Sequence, residues 1–307
     1  MTPWLRVKPF TPSAPIPPAT ISCLTDHHRF GVSTHLFHES RLTREHLVHI
    51  AAHGFEAIEL FATRSHFDYH DEKAVAALGE WLGDTRLELH SVHAPIFDGL
   101  RGGQWIGPFS SAAADGAQRE KAVRESRTAL EIARRLPYRF LVMHLGIPAA
   151  APGAGTGNHP DAARRSLEEV AAAAADAGVQ VAVEVIPNAL SSADALVHLI
   201  EEQLEGIDVG ICLDYGHAHL MADLGEAIEC VGGHLRTTHV HDNRGREDDH
   251  LVPFAGSINW DTAMMETQKI GYDGMLMLEV ADSGDPVDVL RRSAVARERL
   301  EKTFVPF

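Results

Sequence analysis

Residues 179–219 read VQVAVEVIPNALSSADALVHLIEEQLEGIDVGICLDYGHAH. Two short runs rich in β-branched residues, Val179–Val185 and Val209–Leu213, enclose a helical pattern. A strand, a crossover helix and a second strand make a unit with parallel strands. The two runs carry Glu184 and Asp214 at their C-terminal ends. The same rhythm extends in both directions. Further strands are expected at Phe30–Thr34, Ala57–Phe61, Leu87–His93, Phe140–His144, Thr237–His241 and Met275–Val280. Helical patterns lie between them, as at Arg44–His53, Gln118–Leu136, Asp161–Ala177 and Asp288–Thr303. The alanine run behind Val170 is a strong local helix signal. Eight strands alternating with helices predict a single-domain α/β fold, a (β/α)8 TIM barrel over residues 29–307. A doubly wound open sheet is the alternative, and the lack of a GxGxxG after an early strand argues against its dinucleotide-binding form.

Residues 1–28 stand apart, with six of the 16 prolines in the first 18 residues. They read as an extended N-terminal arm, loose or lying across a partner subunit in a homo-oligomer. The 307 residues carry 27 Lys+Arg against 43 Asp+Glu, a formal charge of −16. That balance argues against nucleic acid as a partner, because phosphate contacts need a basic face. No apolar run approaches a membrane span or a signal-peptide core. The scattered Cys23, Cys212 and Cys230 form no disulfide framework and fit a reducing, cytoplasmic setting.

In a barrel, catalytic groups sit where strands end and their following loops begin. Reading those positions gives His93, His144, Glu184, Asp214, His239 and Glu279, with His217, Asp248 and His250 just beyond strand ends. A lone strand-end His is more often a packing residue than a ligand. Six successive strands ending this way are not independent packing accidents. Four carboxylates at a barrel mouth demand compensation, and no Lys or Arg stands at a strand end to give it. Divalent metal is the economical answer, zinc or manganese by ligand type, in one to three ions. Four carboxylates and one ion leave a negative site, whereas three ions leave a positive one able to attract a phosphoryl group. The long loops Pro95–Ala117, Pro148–Pro160 and Asp242–Ser257 all follow strands, and IPAAAPGAGTGNHP (147–160) reads as a mobile loop over the catalytic face or a tolerated insertion.

The segments FEAIEL, LHSVHAP, VMHLG, VAVEVIPN, LDYGHA, HVHDNRGREDDHLVPFAGSINW and IGYDGMLMLEV together span the barrel. As a set they resemble the xylose isomerase-like TIM-barrel superfamily, also called AP endonuclease family 2, and are most similar to its predicted sugar phosphate isomerases and epimerases. For the isomerase branch the resemblance implies one metal held at Glu184, Asp214, His239 and Glu279. Glu184 and Glu279 would then exchange a proton at a carbon beside a carbonyl, with His217 binding substrate. For the endonuclease branch it implies three zinc ions held by His93, His144, Glu184, Asp214, His217, His239, Asp248, His250 and Glu279, hydrolysing a phosphodiester. His250 stands where epimerases place a substrate-binding Arg, which follows the zinc-hydrolase pattern. Phe254-Ala255-Gly256 replaces the endonuclease Gly-Glu-Gly, and RFGVSTHLF lacks the endonuclease-type first strand, with His35 of open equivalence. The expected activity is metal-dependent isomerisation or epimerisation of a small sugar or sugar phosphate. The alternatives are a multinuclear zinc phosphoesterase acting on a small phosphoester and, third, a barrel that only binds.

Other residues carry blander expectations. Trp105 in GGQWIGPF is a candidate sugar-stacking residue or a loop anchor. His241 shares a strand face with His239 and is either a neighbour turning a ligand or a satisfied polar group. His27, His28, His35, His38, His46, His49 and His53 read as a solvated face, and Trp260 as the start of the barrel's seventh helix.

Overall fold

The computed structural model describes residues 29–148, 157–281 and 284–304. The expected N-terminal arm, including Cys23, and residues 149–156 of the Gly/Ala-rich loop lie outside the described residues. In chain order the first elements are β1 (Arg29–Ser33), α1 (Arg44–Ala52), β2 (Ala57–Phe61), α2 (Glu72–Thr85) and β3 (Glu88–His93). A hairpin of β4 (Phe97–Arg101) and β5 (Gln104–Pro108) precedes α3 (Gly116–Leu130), β6 (Phe140–Met143) and α4 (Pro160–Asp176). Then come β7 (Gln180–Glu184), α5 (Ala193–Gln203), β8 (Val209–Asp214), α6 (Tyr215–Met221) and α7 (Leu224–Val231). The chain ends through β9 (Leu235–Val240), α8 (Trp260–Lys269), β10 (Met275–Leu278) and α9 (Pro286–Glu301).

Eight strands close a barrel in the order β1-β10-β9-β8-β7-β6-β3-β2, every neighbouring pair parallel. Side chains that start the helices help set this alternation. Asp71, Asp115, Ser192, Asp223, Asn259 and Asp285 each accept a backbone N–H in the first turn of the helix that follows. Register partners in parallel strands share a face, so the interior can be traced. Gly31, Ala57, Met277 and His239 lie on it, as do Val142, Ala182, Glu184 and Cys212. Apolar residues fill the barrel's lower interior, and ionisable residues take over toward the C-terminal ends of the strands. A second, larger core of Leu, Ile, Val and aromatic residues packs the helices onto the outside of the barrel.

Two expectations need correction. The helix expected over Gln118–Leu136 ends at Leu130 and tightens into a 3₁₀ turn, Glu131–Arg134. The stretch Pro95–Ala117 is not merely a long loop, since most of its first half is the antiparallel β4–β5 hairpin, turning at Gly102 and Gly103, both with positive φ (57° and 74°).

Candidate metal centre

All nine residues expected at the mouth converge there. Glu184, the last residue of β7, is the hub: His93 Nε2 and His144 Nε2 each lie 3.1 Å from its Oε2. Its Oε1 lies 3.3 Å from both His217 Nδ1 and His239 Nδ1. His239 Nδ1 is also 3.3 Å from Glu279 Oε2 and 3.8 Å from Asp214 Oδ2. His217 Nδ1 is 3.2 Å from Asp214 Oδ2, and its Nε2 reaches Asp248 Oδ2 at 3.0 Å. His250 Nε2 meets the same Asp248 oxygen at 3.2 Å. Asp214 ends β8 and caps α6, accepting the His217 N–H at 2.7 Å, which fixes both residues.

These contacts fit a metal. Glu184 Oε1, His217 Nδ1 and His239 Nδ1 are buried and have no hydrogen-bond partner, although they approach one another at 3.3 Å. Donor atoms about 2.0–2.1 Å from a tetrahedral ion stand about 3.3 Å apart, so this spacing suits shared ligation. Three groups bring candidate ligand atoms within 4.8 Å of one another: Glu184, Asp214, His239 and Glu279; His93, Glu184 and His239; and His217, His241, Asp248 and His250. Imidazoles with carboxylates match zinc or manganese. Outward ring nitrogens are tied down as well. His93 Nδ1–H donates to the Ala94 carbonyl at 2.9 Å, and His250 Nδ1–H to that of Glu279 at 2.8 Å. Such contacts fix ring orientation before any ion arrives.

The chain between Val240 and Trp260 is shaped by Asp242, which is fully buried. Its carboxylate accepts from the backbone N–H of Asn243, Phe254 and Ile258 and from Trp260 Nε1. Asp242 and Leu251 also form an antiparallel bridge that holds Asp248 and His250 over the barrel. His250 has φ 44°, a left-handed conformation that a bulky side chain adopts at a cost. Trp260 begins α8, as expected from the sequence, and is 1% exposed.

Aromatic rings wall one side of the mouth. Trp105 of β5 stacks on Phe97 and His38 (centroids 5.3 Å each) and meets Phe61 edge-on at 6.0 Å. His35 stacks on His38 and packs edge-on against Phe61 and His250. His35 and His38 are thus part of the mouth and not of a solvated face.

Electrostatics separates the two glutamates. Burial raises both carboxyls. At Glu184 the imidazoles of His239 and His144 outweigh burial and hold it well below the usual range, while Glu279, beside the charge of Glu184, stays raised. Burial alone would lower the histidines, but the Glu184 carboxylate lifts His93 to about 9 and Asp248 lifts His250 to about 10.

The model of the family described as xylose isomerase-like TIM barrel matches residues 47–302. The chain belongs to this family. Among curated relatives, the uncharacterized protein MJ1311 of Methanocaldococcus jannaschii is 27% identical over 280 residues, covering 89% of each chain. Among solved structures, a D-tagatose 3-epimerase-like protein is 26% identical with a TM-score of 0.72, covering 90% of this chain and 96% of its own. The IOLI protein with a bound zinc atom shares the fold (TM-score 0.71, 16% identity, 91% of this chain and 100% of its own).

Within this xylose isomerase-like barrel, one participant escaped sequence reading. Glu59, fully buried in the middle of β2, accepts a hydrogen bond from His239 Nε2 at 3.0 Å. His241 goes further than its expected role, with Nε2 3.0 Å from Asp214 and its ring stacked 4.0 Å from His250. The signal for Glu59 was an acid in the middle of an apolar strand, AIELF, one pleat below the position inspected.

Proposed function

We propose that the protein is a divalent-metal-dependent isomerase or epimerase of a sugar or sugar derivative. The observation that carries this reading is the buried pair Glu184 and Glu279, facing one another across His239 Nδ1 with opposite shifts in acidity. Two carboxyls whose environments push them apart suit one proton acceptor and one proton donor. A divalent ion held by Glu184, Asp214, His239 and Glu279 would supply Lewis-acid polarisation of a substrate carbonyl and its neighbouring hydroxyl. Glu184, ionised, takes the proton from the carbon beside that carbonyl, and Glu279 returns one from the other side. His217 and His250 contact substrate hydroxyls. Trp105, with Phe61 and Phe97 behind it, presents an aromatic face to the sugar and excludes water. Membership of the family and likeness to a D-tagatose 3-epimerase-like protein support a sugar substrate.

One observation favours a second reading, hydrolysis of a small phosphoester. His217, His241, Asp248 and His250 form a ligand group beyond the four-residue set, and His93 and His144 converge on Glu184 as well. Together they offer seats for more than one ion. Two measurements decide. An isomerase loses solvent-deuterium exchange at substrate carbon in both Glu184→Gln and Glu279→Gln, while intact exchange in both variants refutes the proton-transfer roles. Three tightly bound ions per chain, with zinc-dependent cleavage of a generic phosphodiester that His93→Ala or His144→Ala removes, would establish the hydrolase instead.

A further inference from the structure

Ser33, Glu59 and Ser91 are register partners on the adjacent strands β1, β2 and β3 and form one interior layer under the ligand cluster. Glu59 is 0% exposed. Ser33 Oγ–H donates to its Oε1 at 3.1 Å, and Ser91 Oγ–H and His239 Nε2–H donate to its Oε2 at 2.9 and 3.0 Å. Among the described residues its ion-pair partner is His239. A buried carboxylate is costly wherever an apolar side chain would pack, and Ala57, two residues earlier on the same face, shows the apolar solution in place. The hydrogen bonds from Ser33, Ser91 and His239 already engage both of its oxygens, so Glu59 is not built as a ligand. What it does is direct a ring. With the proton on Nε2, His239 carries its lone pair on Nδ1, and that atom faces Glu184, Asp214 and Glu279 with no hydrogen-bond partner. His93 and His250 are held in the opposite orientation, by backbone carbonyls on Nδ1.

We infer that Glu59 is the positioning residue that holds His239 as its Nε2–H tautomer and so presents Nδ1 to a divalent ion at the Glu184–Asp214–Glu279 group. The inference rests on the metal site proposed above. A carboxylate in this role, and not a carbonyl, also adds negative charge behind the ring and strengthens Nδ1 as a donor.

The test uses cadmium-loaded full-length protein with ¹⁵N-labelled histidine, together with zinc affinity from competition with a chromophoric chelator. In the wild type, His239, identified by its loss in His239→Asn, is expected to bind cadmium through Nδ1 and to keep a slowly exchanging Nε2–H. Glu59→Gln keeps an acceptor but loses the charge, and should weaken zinc binding roughly tenfold. Glu59→Leu should lose the protected Nε2–H and weaken zinc binding toward roughly a hundredfold. Ser91→Ala loosens the same layer without touching His239 and should leave affinity near that of the wild type. Cadmium bound through Nε2 of His239 in the wild type overturns the inference, whether or not Glu59→Leu folds. If Glu184→Gln abolishes binding while folded Glu59→Leu keeps the protected Nε2–H and wild-type affinity, this inference alone falls. A wild type with no affinity for zinc, manganese or cadmium overturns it together with the proposed function.

Discussion

A methyl group built onto Gly216 would collide with the ring of His241. Gly216 therefore allows the ring to lie beside Asp214 and over His250. Gly216→Ala should cost about 1–3 kcal/mol by overpacking, read by denaturant titration, and should lower zinc content measured by elemental analysis, because the displaced ring takes Asp214 and His250 with it. Protonation gives a second prediction. In the metal-free protein His93 is raised to about 9 and His250 to about 10, so both are cationic at neutral pH. If these rings hold further ions, as the second reading of the site requires, ligation needs them neutral and metal uptake must expel these protons. Affinity should then rise with pH up to roughly those values, and calorimetry in buffers of different ionisation heat should show proton release near pH 7. Uptake without proton release would mean that neither ring is a ligand. The sequence exposed these two residues because they follow a rule of position, at or just beyond the end of a barrel strand. Glu59 obeys no such rule. It sits in mid-strand, where only the three-dimensional closeness of β2 to β9 across the barrel brings it to His239.

Elements show the same divide between local and long-range information. Barrel strands and the helices at Arg44–His53, Asp161–Ala177 and Asp288–Thr303 are legible from local pattern to within a few residues, whereas Gln118–Leu136 overruns the observed helix end. The β4–β5 hairpin was not, because it is short and half-exposed and has weak alternation, leaving the Gly102–Gly103 turn as its main signal. That hairpin carries Trp105 to the mouth, so Trp105→Ala should raise KM for a sugar substrate about tenfold while zinc content stays at the wild-type level, in line with the 0.5–1.5 kcal/mol typical of aromatic contacts. Equal loss in kcat and metal content would place Trp105 in support of the ligands instead. The loop after β9 depends on one side chain in a different way. Asp242→Ala would strand the N–H groups of Asn243, Phe254, Ile258 and Trp260. Each buried donor left unpaired costs about 1–3 kcal/mol, so the variant should lose about 3 kcal/mol or more, measured by denaturant unfolding.

At the scale of the whole molecule, the charge of −16 is not spread over the surface alone. Glu59, Glu184, Asp214 and Glu279 are almost wholly enclosed, with Asp248 over them, and the nearby cations are histidines. Such a cluster holds the barrel mouth together only while protons or ions neutralise it. Divalent metal is therefore expected to act on the stability of the entire barrel, since the candidate ligands come from β3, β7, β8, α6, β9, the loop after β9 and the residue following β10. A ligand that binds only the folded state stabilises it by about 4 kcal/mol when its concentration is a thousand times its dissociation constant. For a chain of this size that corresponds to a rise in Tm of roughly 6 °C. Melting of chelator-treated protein before and after adding zinc or manganese, followed by circular dichroism, measures it. The rise should shrink as pH falls through about 10 to 9, where protons begin to compete for the same imidazoles, and should vanish in Glu184→Gln, which removes charge from a residue shared by two of the three ligand groups. An unchanged Tm at saturating metal would mean that the carboxylates are neutralised by protons alone, and the barrel mouth would then be an acid–base site of histidines and carboxyls without an ion.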